Sequence, residues 1–462
     1  MKISNLFITE KSKIKDAMKT IDVGGLGIAL IVNQQKKLLG VVTDSDIRRA
    51  VMNGINIDNP VEQIMNKAPI VVDEHYTKLS IDNLLLEINK KKFPVHGTLS
   101  IPVLSKQEPI DLLFLSEKGY SGKLSDSKIE VKKVRRVLVV GGAGYLGGIL
   151  CQQLLDCGYI VRVLDNLMYG DDGIQSLYNH TCFEFFNGDI RDIRVVVKAI
   201  KDVDAVIHLA AIVGDPASAL DPEETIEINY LSSKILAEVC KKSQINRFIF
   251  ASTCSVYGAN EPGKMLNEQS LLNPVSLYAE MKLNSERGIL SIEDDNFSPT
   301  ILRMGTLYGT APRMRFDLVI NILTAKAIME KKYSIFGGDQ WRAFCHVKDA
   351  AQAYITCLEA PIEDVKGEIF NIAPENATIL KIGEVVKKMV PTAQMIVEKS
   401  QTDPRDYCVS DEKIKKKLGY KHSLTIQDGI QEIKSGFLTM KQYQDYKDSK
   451  YYNHIYLNES NE

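Results

Sequence analysis

A threonine, a tyrosine and a lysine are spaced as a proton-transfer site requires. Thr253 follows the apolar segment 247–251, and Tyr278 and Lys282 are four residues apart. Residues four apart share one face of a helix, and an ammonium beside a phenol favours the phenolate. The pair therefore predicts that Tyr278 is a general base for a substrate hydroxyl, with Thr253 hydrogen-bonded to the same oxygen. The alternative is a solvated helix face that carries a packing tyrosine.

A glycine cluster precedes these residues in the chain. The apolar segment 134–140 leads directly into Gly141, Gly144 and Gly147, and a helical pattern follows. Glycines at such a turn allow backbone amides to approach a pyrophosphate at the N-terminus of the helix. The spacing is Gly-x-x-Gly-x-x-Gly rather than Gly-x-Gly-x-x-Gly, so the turn by itself is a modest indication of a dinucleotide site.

An acidic residue follows at the distance that a dinucleotide site requires. The strand pattern 160–164 ends in Asp165, 24 residues after Gly141. A carboxylate there meets the ribose hydroxyls of adenosine and repels the additional phosphate of NADP, which favours NAD. The alternative is a loop cap. Further alternation of apolar segments with helical stretches predicts a doubly wound parallel sheet, which would bring these residues to one edge.

The composition is that of an ordinary globular protein. The 462 residues are 45% hydrophobic and 25% charged, with a formal net charge of -2. This balance excludes a basic nucleic-acid wrapper, and no apolar run approaches the roughly 18 residues of a membrane-spanning helix. No secretory leader is visible, and the eight cysteines lack the spacing of a zinc site or a disulfide framework. We therefore expect no metal, no nucleic acid, no membrane partner and a cytoplasmic location.

Four regions differ in pattern. Residues 1–117 alternate short apolar strands with helical stretches, and residues 118–133 are polar and rich in Gly, Ser and Lys, which predicts a linker. Residues 134–438 show the repeated strand–helix alternation. Residues 439–462 form a polar, tyrosine-rich tail that we expect to be disordered or to pack on a partner.

The order of glycine turn, Thr at a strand end and Tyr-x-x-x-Lys resembles the extended short-chain dehydrogenase/reductases, the NAD-dependent nucleotide-sugar epimerase/dehydratase family. The resemblance covers residues 134–435 and implies a Rossmann fold with a smaller C-terminal substrate subdomain, NAD as cofactor, and catalysis by Thr253, Tyr278 and Lys282. It also implies cofactor contacts from the glycine turn and the strand ends: Gly141, Gly144, Tyr145, Leu146, Gly147, Asp165, Asn166, Asp189, Ile190, Ala210, Ala211, Tyr278 and Lys282.

The chain departs from one branch of that family. The 4,6-dehydratases of the family carry an Asp-Glu pair after the threonine, whereas this chain has Cys254 and Ser255. Neither residue is an acid that could drive elimination of water, so we expect no dehydratase activity. Asn229 matches a structural asparagine of the family. His208 and His346 are interpreted as buried, internally hydrogen-bonded residues.

Four arginines are candidates for binding an anionic substrate: Arg313, Arg315, Arg342 and Arg405. A guanidinium matches the oxygens of a diphosphate better than an ammonium does. The resemblance implies that Arg342 and Arg405 hold the diphosphate of a nucleotide-sugar; for Arg313 and Arg315 a surface ion pair is an equal alternative. The loop 212–216 is expected to face the sugar, in the manner of enzymes that act on GDP- or dTDP-linked sugars in surface-glycan pathways.

The N-terminal region resembles a CBS-domain pair, a small α+β module that often binds adenine nucleotides. The resemblance rests on the segment 40–49, Gly-Val-Val-Thr-Asp-Ser-Asp-Ile-Arg-Arg. It implies that Thr43 and Asp46 bind the phosphate and ribose of a regulatory nucleotide. The alternative is that the two residues only cap a helix. The second half lacks this pattern, so at most one nucleotide site is expected.

We expect NAD-dependent oxidation of a nucleotide-sugar hydroxyl, at carbon 4, in an epimerase. A 4-dehydrogenase or 4-ketoreductase would use the same residues. A hypothesis of another class is a nucleotide-sensing regulatory protein with a non-catalytic Rossmann domain. The family resemblance implies a homodimer through the helical stretches 222–242 and 276–292.

Overall fold

The protein folds as two compact units, Met1–Arg135 and Arg136–Glu462. The computed structural model describes residues 2–77, 81, 84, 99–116, 119–124, 134–261, 263–399, 405–439 and 441–460. Much of the predicted linker 118–133 therefore lies outside the described residues. Residues 119–123 are an exception, because they form a strand paired antiparallel with Glu108–Ser116. This part of the prediction was wrong: the polar composition reflects an edge strand.

The first unit contains two sheets. Three strands pair in the order Phe7–Ile8, Ile28–Val32, Leu38–Thr43, and four pair in the order Val72–Asp73, Leu99–Ser105, Glu108–Ser116, Gly119–Lys123. Among the described residues, helices run over Ile14–Gly24 and Asp44–Met52, with short 3-10 turns at Ile3–Leu6 and Val61–Gln63. All five residues of Ile28–Val32 are buried, which explains why that segment is an uninterrupted apolar run.

The second unit is built on a seven-stranded parallel sheet, which confirms the doubly wound fold. The strand order is Phe183–Asn187, Ile160–Asp165, Arg136–Val140, Ala205–His208, Arg247–Thr253, Ser298–Met304, Ile369–Ile372. Adjacent strands are parallel throughout. The order reverses direction between Arg136–Val140 and Ala205–His208, the position at which such sheets bind ligands beyond the carboxyl ends of their strands.

Helices cover the sheet on both faces. Their bounds are Tyr145–Asp156, Ile193–Ala199, Asp215–Ser218, Pro222–Ile226, Ser232–Lys242, Leu277–Leu290, Val347–Glu359 and Ile362–Val365, with 3-10 turns at Gln175–Leu177 and Cys254–Tyr257. The predicted helix 222–242 is interrupted by a π-helical turn, Glu227–Leu231. That turn contains Asn229, whose side chain hydrogen-bonds the backbone of Ile212 in both directions, at 2.8 and 2.9 Å.

A smaller lobe follows in the sequence. It contains the sheet Thr306–Tyr308, Trp341–His346, Glu375–Thr378 and the pairs Lys332–Phe336 with Gln394–Glu398 and Met265–Leu266 with Cys408–Val409. Its helices are Val319–Met329, Ile379–Met389, Glu412–Leu418 and Ile426–Thr439. One core of buried aliphatic and aromatic side chains joins the three-stranded sheet with the helices Val319–Met329, Ile379–Met389 and Ile426–Thr439, and Leu266 and Val409 belong to a separate cluster.

The C-terminal segment 441–460 is folded onto the second unit. Two 3-10 turns, Lys441–Asp445 and Ser449–Tyr451, lead into the helix Asn453–Ser460. Tyr443, Tyr446 and Tyr451 surround Phe316 with ring centroids 5.7, 5.8 and 5.3 Å away. The expectation of a disordered or partner-bound tail was wrong, because these tyrosines pack as core residues of the same chain.

Among the described residues, no helix combines the length and the apolar character that crossing a bilayer would need.

Candidate active site

A cleft opens at the carboxyl edge of the parallel sheet. It encloses a cavity of about 310 Å³ whose walls come from the ends of the strands Arg136–Val140, Ile160–Asp165, Ala205–His208 and Arg247–Thr253. The cleft brings together every residue that the sequence predicts for catalysis and for the cofactor: Gly141, Gly144, Tyr145, Leu146, Gly147, Asp165, Asn166, Asp189, Ile190, Ala210, Ala211, Thr253, Tyr278 and Lys282.

The glycine turn leaves room for backbone to meet a ligand. Gly141 has φ +84°, and a Cβ there would lie 2.5 Å from the nitrogen of Ala210. A Cβ on Gly147 would lie 2.5 Å from the carbonyl oxygen of Gly141. Gly144 precedes the helix Tyr145–Asp156, whose N-terminus has neither a side-chain cap nor an acidic residue in its first turn. The turn and helix N-terminus therefore fit a pyrophosphate, as a dinucleotide requires.

Asp165 lies where an adenosine ribose would be recognised. Its two carboxylate oxygens accept hydrogen bonds from the backbone of Ala143 (2.9 Å) and Leu167 (2.8 Å). Burial raises the pKa of Asp165, and these backbone bonds oppose the shift. Asn166 donates to Asp189 at 3.1 Å, which joins the ends of two adjacent strands. The side chain of Tyr145 instead donates to the carbonyl of Gly309, so Tyr145 offers the cleft its backbone.

The proposed proton-transfer residues meet in the middle of the cleft. Thr253 ends its strand, and its hydroxyl accepts from the backbone of Ser255 at 3.1 Å. Tyr278 and Lys282 lie on the helix Leu277–Leu290, which Ser276 caps at its N-terminus. Tyr278 hydrogen-bonds with Thr253, and all three residues are buried. The sequence therefore predicted correctly that these three residues lie together. Their catalytic roles remain predictions.

The electrostatic prediction for Tyr278 needs correction. Burial raises the pKa of Tyr278, and the charge of Arg315 and the hydrogen bond with Thr253 only partly oppose this effect. Lys282 does not supply the main opposing charge, because its ammonium donates to the carbonyl oxygen of Ala251 at 2.8 Å and lies over the ring of Phe250. The phenol is therefore neutral in the ligand-free protein, and Arg315 is the principal cation that favours its ionisation.

The ionisation of Lys282 gives a pH prediction. Burial lowers the pKa of Lys282 to about 7 from an ordinary value of 10.5. Between these values the unfolded chain binds a proton that the folded protein does not, so the folded protein gains stability as the pH rises from 7. We expect Lys282→Met to raise the melting temperature of NAD-free protein most at pH 7, with the difference shrinking by pH 9. Parallel pH profiles for the two proteins would contradict this.

A buried polar network supports the catalytic strand from behind. Arg303 and Glu286 form an ion pair of 2.7 Å with both side chains almost fully buried. Ser252 donates to Glu286, and Arg303 donates to the hydroxyl of Tyr257 at 3.1 Å. The network fixes the strand end that carries Thr253 to the helix that carries Tyr278 and Lys282. Sequence spacing gave no sign of it, because its four members come from four separate elements.

Cys254, His208 and His346 serve the scaffold. The thiol of Cys254 is buried, burial raises its pKa, and it donates to the carbonyl of Arg303. His208 hydrogen-bonds Ser233 at 2.8 Å, and burial lowers its pKa well below the ordinary value. His346 lies 3.1 Å from Glu432. No group of three or more His, Cys, Asp or Glu within the described ranges is arranged to hold a metal ion.

A second cavity of about 620 Å³ adjoins the first, and the two share Asp215, Arg315, Arg405 and Asn453 in their walls. Arg342 also lines it, stacked over Tyr407 at 5.6 Å and donating to the carbonyl of Arg405. Arg405 pairs with Asp215 at 3.0 Å. Three of the four predicted substrate arginines thus surround one space, while Arg313 lines only the first cavity.

Two residues of this region were missed by the sequence analysis. Asp215 accepts hydrogen bonds from both Arg405 and Ser276, so it connects the loop 212–216 with the N-terminus of the catalytic helix. Asn453 reaches the cavities from the C-terminal segment. Asp215 lies in the loop 212–216, which the sequence predicts to face the sugar, so it could have been identified. The sequence pattern of residues 439–462 gave no indication of Asn453.

In the first unit, Thr43 and Asp46 cap a helix. The hydroxyl of Thr43 accepts from the backbone of Asp46, and the carboxylate of Asp46 accepts from the backbone of Thr43 at 2.9 Å. Asp46 also pairs with Arg49 at 2.6 Å. This capping box accounts for both residue types without a ligand. A nucleotide at this position remains a prediction.

Comparison with known sequences gives two family matches. The sequence model of the NAD dependent epimerase/dehydratase family matches residues 137–373, slightly more than half of the chain. The model of the CBS domain matches residues 1–53. That match covers one CBS domain, so the second member of the expected pair remains a prediction.

Individual relatives resemble the second unit. The chain is 28% identical over 311 residues to a UDP-glucose 4-epimerase of Lactobacillus helveticus, covering 62% of this chain and 92% of that protein. It is 27% identical over 320 residues to UDP-glucuronic acid decarboxylase 1 of Arabidopsis thaliana, covering 66% and 70%. The structure of UDP-glucuronic acid 4-epimerase from Bacillus cereus, in complex with UDP-glucuronic acid and NAD, is 30% identical with a TM-score of 0.59, covering 65% and 99%.

Proposed function

Because this chain belongs to the NAD dependent epimerase/dehydratase family, we propose that it is an epimerase that inverts carbon 4 of a UDP-linked hexose or hexuronic acid. NAD is its cofactor. One observation supports the proposal most directly. The first cavity contains the glycine turn with Asp165 and the cluster of Thr253 and Tyr278, and the adjoining second cavity is lined by arginines. This arrangement suits a substrate hydroxyl presented between a dinucleotide and a diphosphate anchor.

The chain's own residues perform the proton chemistry. Tyr278 accepts the proton of the substrate hydroxyl, and Thr253 donates a hydrogen bond that holds the same oxygen. Arg315 is the main cation that favours the phenolate, and Lys282, one helical turn from Tyr278, adds to this effect only in its charged form. NAD would be held by the glycine turn and Asp165, and it would supply the hydride acceptor for oxidation at carbon 4 and the hydride for the reduction that completes the inversion. Tyr278 then returns the proton to the carbonyl oxygen, which becomes the new hydroxyl.

The nucleotide is proposed from the relatives. The three relatives described above have names that refer to UDP-sugars. UDP therefore replaces GDP or dTDP as the proposed nucleotide, while a place in surface-glycan synthesis remains a prediction. Arg342, Arg405 and Arg315 are the residues that we propose for the diphosphate, because guanidinium groups form paired hydrogen bonds with phosphate oxygens.

Other outcomes of the same oxidation are alternatives. Release of the keto-sugar would make the protein a 4-dehydrogenase, and a carboxylated sugar could lose CO₂, as the name of the Arabidopsis relative indicates for that protein. Dehydration is the alternative that we favour least, because the positions after Thr253 hold Cys254 and Ser255, both buried and neither an acid.

The test is product analysis with the purified protein. UDP-glucose, UDP-galactose and UDP-glucuronic acid are each incubated with it, and the products are identified by NMR and mass spectrometry. The proposal predicts an isomer of equal mass from at least one sugar, with no added oxidant. A keto-sugar, a product lighter by CO₂ or a product lighter by water would each identify a different alternative and contradict epimerisation.

Regulation by an adenine nucleotide is a separate proposal for the first unit. Binding at Thr43 and Asp46 predicts that AMP, ADP or ATP raises the melting temperature of the full chain, since a ligand stabilises the state that binds it. Asp46→Ala should abolish the shift. Asp16→Ala is the matched control, because the carboxylate of Asp16 accepts from the backbone of Lys13 at the start of the helix Ile14–Gly24, as that of Asp46 does from Thr43. A shift that survives Asp46→Ala, or no shift with any of the three, would contradict this site.

Dimerisation is also proposed. The helix Ser232–Lys242 and the π turn before it leave Leu231 and Ile235 more than two-fifths exposed. Such apolar side chains on a helix next to Leu277–Leu290 suit a contact with a second copy. If the protein were purely regulatory, it would form the dimer but would convert no sugar. The product analysis therefore distinguishes an enzyme from a regulatory protein.

A further inference from the structure

The C-terminal segment 441–460 reaches the cleft through one side chain. Asn453 is 3% exposed, and its side-chain oxygen accepts a hydrogen bond of 2.7 Å from Arg313. Its side-chain nitrogen donates to the carbonyl of Val213 at 3.3 Å, and its backbone nitrogen donates to Asp317 at 3.2 Å. Asn453 therefore joins the loop that follows the strand Ala205–His208 to the arginine segment of the smaller lobe.

The helix that carries Asn453 is anchored over the same region. Leu457 is buried with Ile212 and Ala217, and Tyr456 lies against Tyr169 with ring centroids 6.0 Å apart. Tyr169 follows Asp165 in the loop at the end of its strand. The segment thus packs on the loops that border the cofactor half of the cleft, and a displacement of the segment would move Arg313.

Arg313 is a buried cation that lacks a carboxylate partner. It is 4% exposed, and its guanidinium stacks over the ring of Tyr169 at 4.5 Å. Within the described part of the chain, its Nε and the hydroxyl of Tyr169 have no hydrogen-bond partner. The carboxylates of Asp317 and Asp165 favour its charged form from a distance, without a direct ion pair among the described residues. Burial lowers the pKa of Arg313 to about 10, so it stays charged at neutral pH. Arg315, two residues away, is paired with Asp317 at 2.8 Å.

The position of Arg313 separates it from the other three arginines. Arg315, Arg342 and Arg405 line the second cavity, but Arg313 does not. Arg315 and Arg405 line both cavities, whereas Arg313 lines only the first, which also contains the glycine turn and Asp165. A buried cation with an unsatisfied donor is costly unless an anion accepts from it, and the anion expected in this cavity is the diphosphate of the dinucleotide.

We propose that Arg313 binds the diphosphate of NAD and that Asn453, supplied by the C-terminal segment, is the residue that positions it. A neutral amide suits this role, because it orients the guanidinium without neutralising its charge. A carboxylate at position 453 would pair with Arg313 and compete with the diphosphate. This assigns Arg313 to the cofactor rather than to the substrate. The inference rests on NAD as the cofactor and is independent of which sugar the protein converts.

The test compares Asn453→Asp with Asn453→Ala by calorimetric titration of NAD-depleted protein with NAD and, separately, with UDP. Asn453→Asp should weaken NAD binding by about tenfold or more, and Asn453→Ala by less, because only the carboxylate neutralises the cation. UDP binding should change by less than about twofold in both. The melting temperature of NAD-depleted Asn453→Asp should equal or exceed that of Asn453→Ala, since its Arg313 gains a partner.

Two further variants complete the experiment. Arg313→Gln should weaken NAD binding at least as much as Asn453→Asp, with UDP binding retained. This variant also tests the proposal if the protein with a substitution at position 453 fails to fold. Asn376→Asp is the matched control, because Asn376 bonds the backbone of Val409 at 2.8 and 2.9 Å away from the cleft. Wild-type NAD affinity in Asn453→Asp and Arg313→Gln, or a larger loss for UDP than for NAD, would overturn the proposal. Wild-type protein that binds NAD but converts no sugar would refute only the proposed function.

Discussion

Replacement of Tyr278 by phenylalanine is expected to lower kcat for sugar epimerisation by a factor of about 10² to 10⁴, the contribution of a well-placed general base. The phenol is the group in the cleft that is hydrogen-bonded to Thr253 and held on the same helix as Lys282. Because the substitution removes only the hydroxyl, NAD content and melting temperature should stay close to wild type. Steady-state kinetics, with NAD content measured on the same samples, provide the check.

Tyr178→Phe is the matched control for that variant. Tyr178 is 42% exposed, and its hydroxyl donates to Asp171 at 3.0 Å outside the cleft. Its activity should equal that of wild type. If Tyr278→Phe also retained activity within about threefold of wild type while binding NAD normally, Tyr278 would not be the base, and the proposed mechanism would be wrong.

Loss of Glu286 is expected to destabilise the second unit by about 3–5 kcal/mol, because Arg303 would be left buried without a counter-charge. Arg303 and Glu286 are 2% and 3% exposed in their side chains and 2.7 Å apart. Glu286→Ala also removes the acceptor of Ser252 at the end of the catalytic strand. Urea denaturation followed by the fluorescence of Trp341, the only tryptophan in the chain, measures the change in the free energy of unfolding.

The control for that prediction is an exposed ion pair in the same unit. Lys381 and Glu384 lie 3.2 Å apart with side chains 65% and 50% exposed. Because solvent screens such a pair, Glu384→Ala should cost less than about 1 kcal/mol. If Glu286→Ala and Glu384→Ala lowered the free energy of unfolding equally, burial would not be the reason that the pair of Arg303 and Glu286 stabilises the protein.

Residues that depend on local pattern could be predicted from the sequence. The glycine turn, Asp165 and the strand ending at Thr253 each lie within one strand–turn–helix unit, whose periodicity and turn chemistry are visible along the chain. A parallel sheet brings the carboxyl ends of its strands to one edge, so prediction of the sheet also predicted that these residues meet.

Residues that depend on distant contacts could not be predicted in this way. Asn453 meets Arg313 across 140 positions, and the tyrosines of the C-terminal segment pack on Phe316 without any helical or strand periodicity. The π turn Glu227–Leu231 contains Asn229, which is bonded to Ile212, a contact that the apolar pattern does not encode. The raised pKa of Tyr278 likewise follows from burial, whereas sequence spacing predicted only the neighbouring lysine.

The most direct measurement of the central claim uses UDP-glucose that carries deuterium at carbon 4. If the cleft oxidises that carbon and reduces the same molecule again, the epimer should form in ordinary water with the deuterium still at carbon 4, and Tyr278→Phe should form almost none. Loss of the deuterium to solvent, or formation of a 4-keto-sugar without the epimer, would contradict the account.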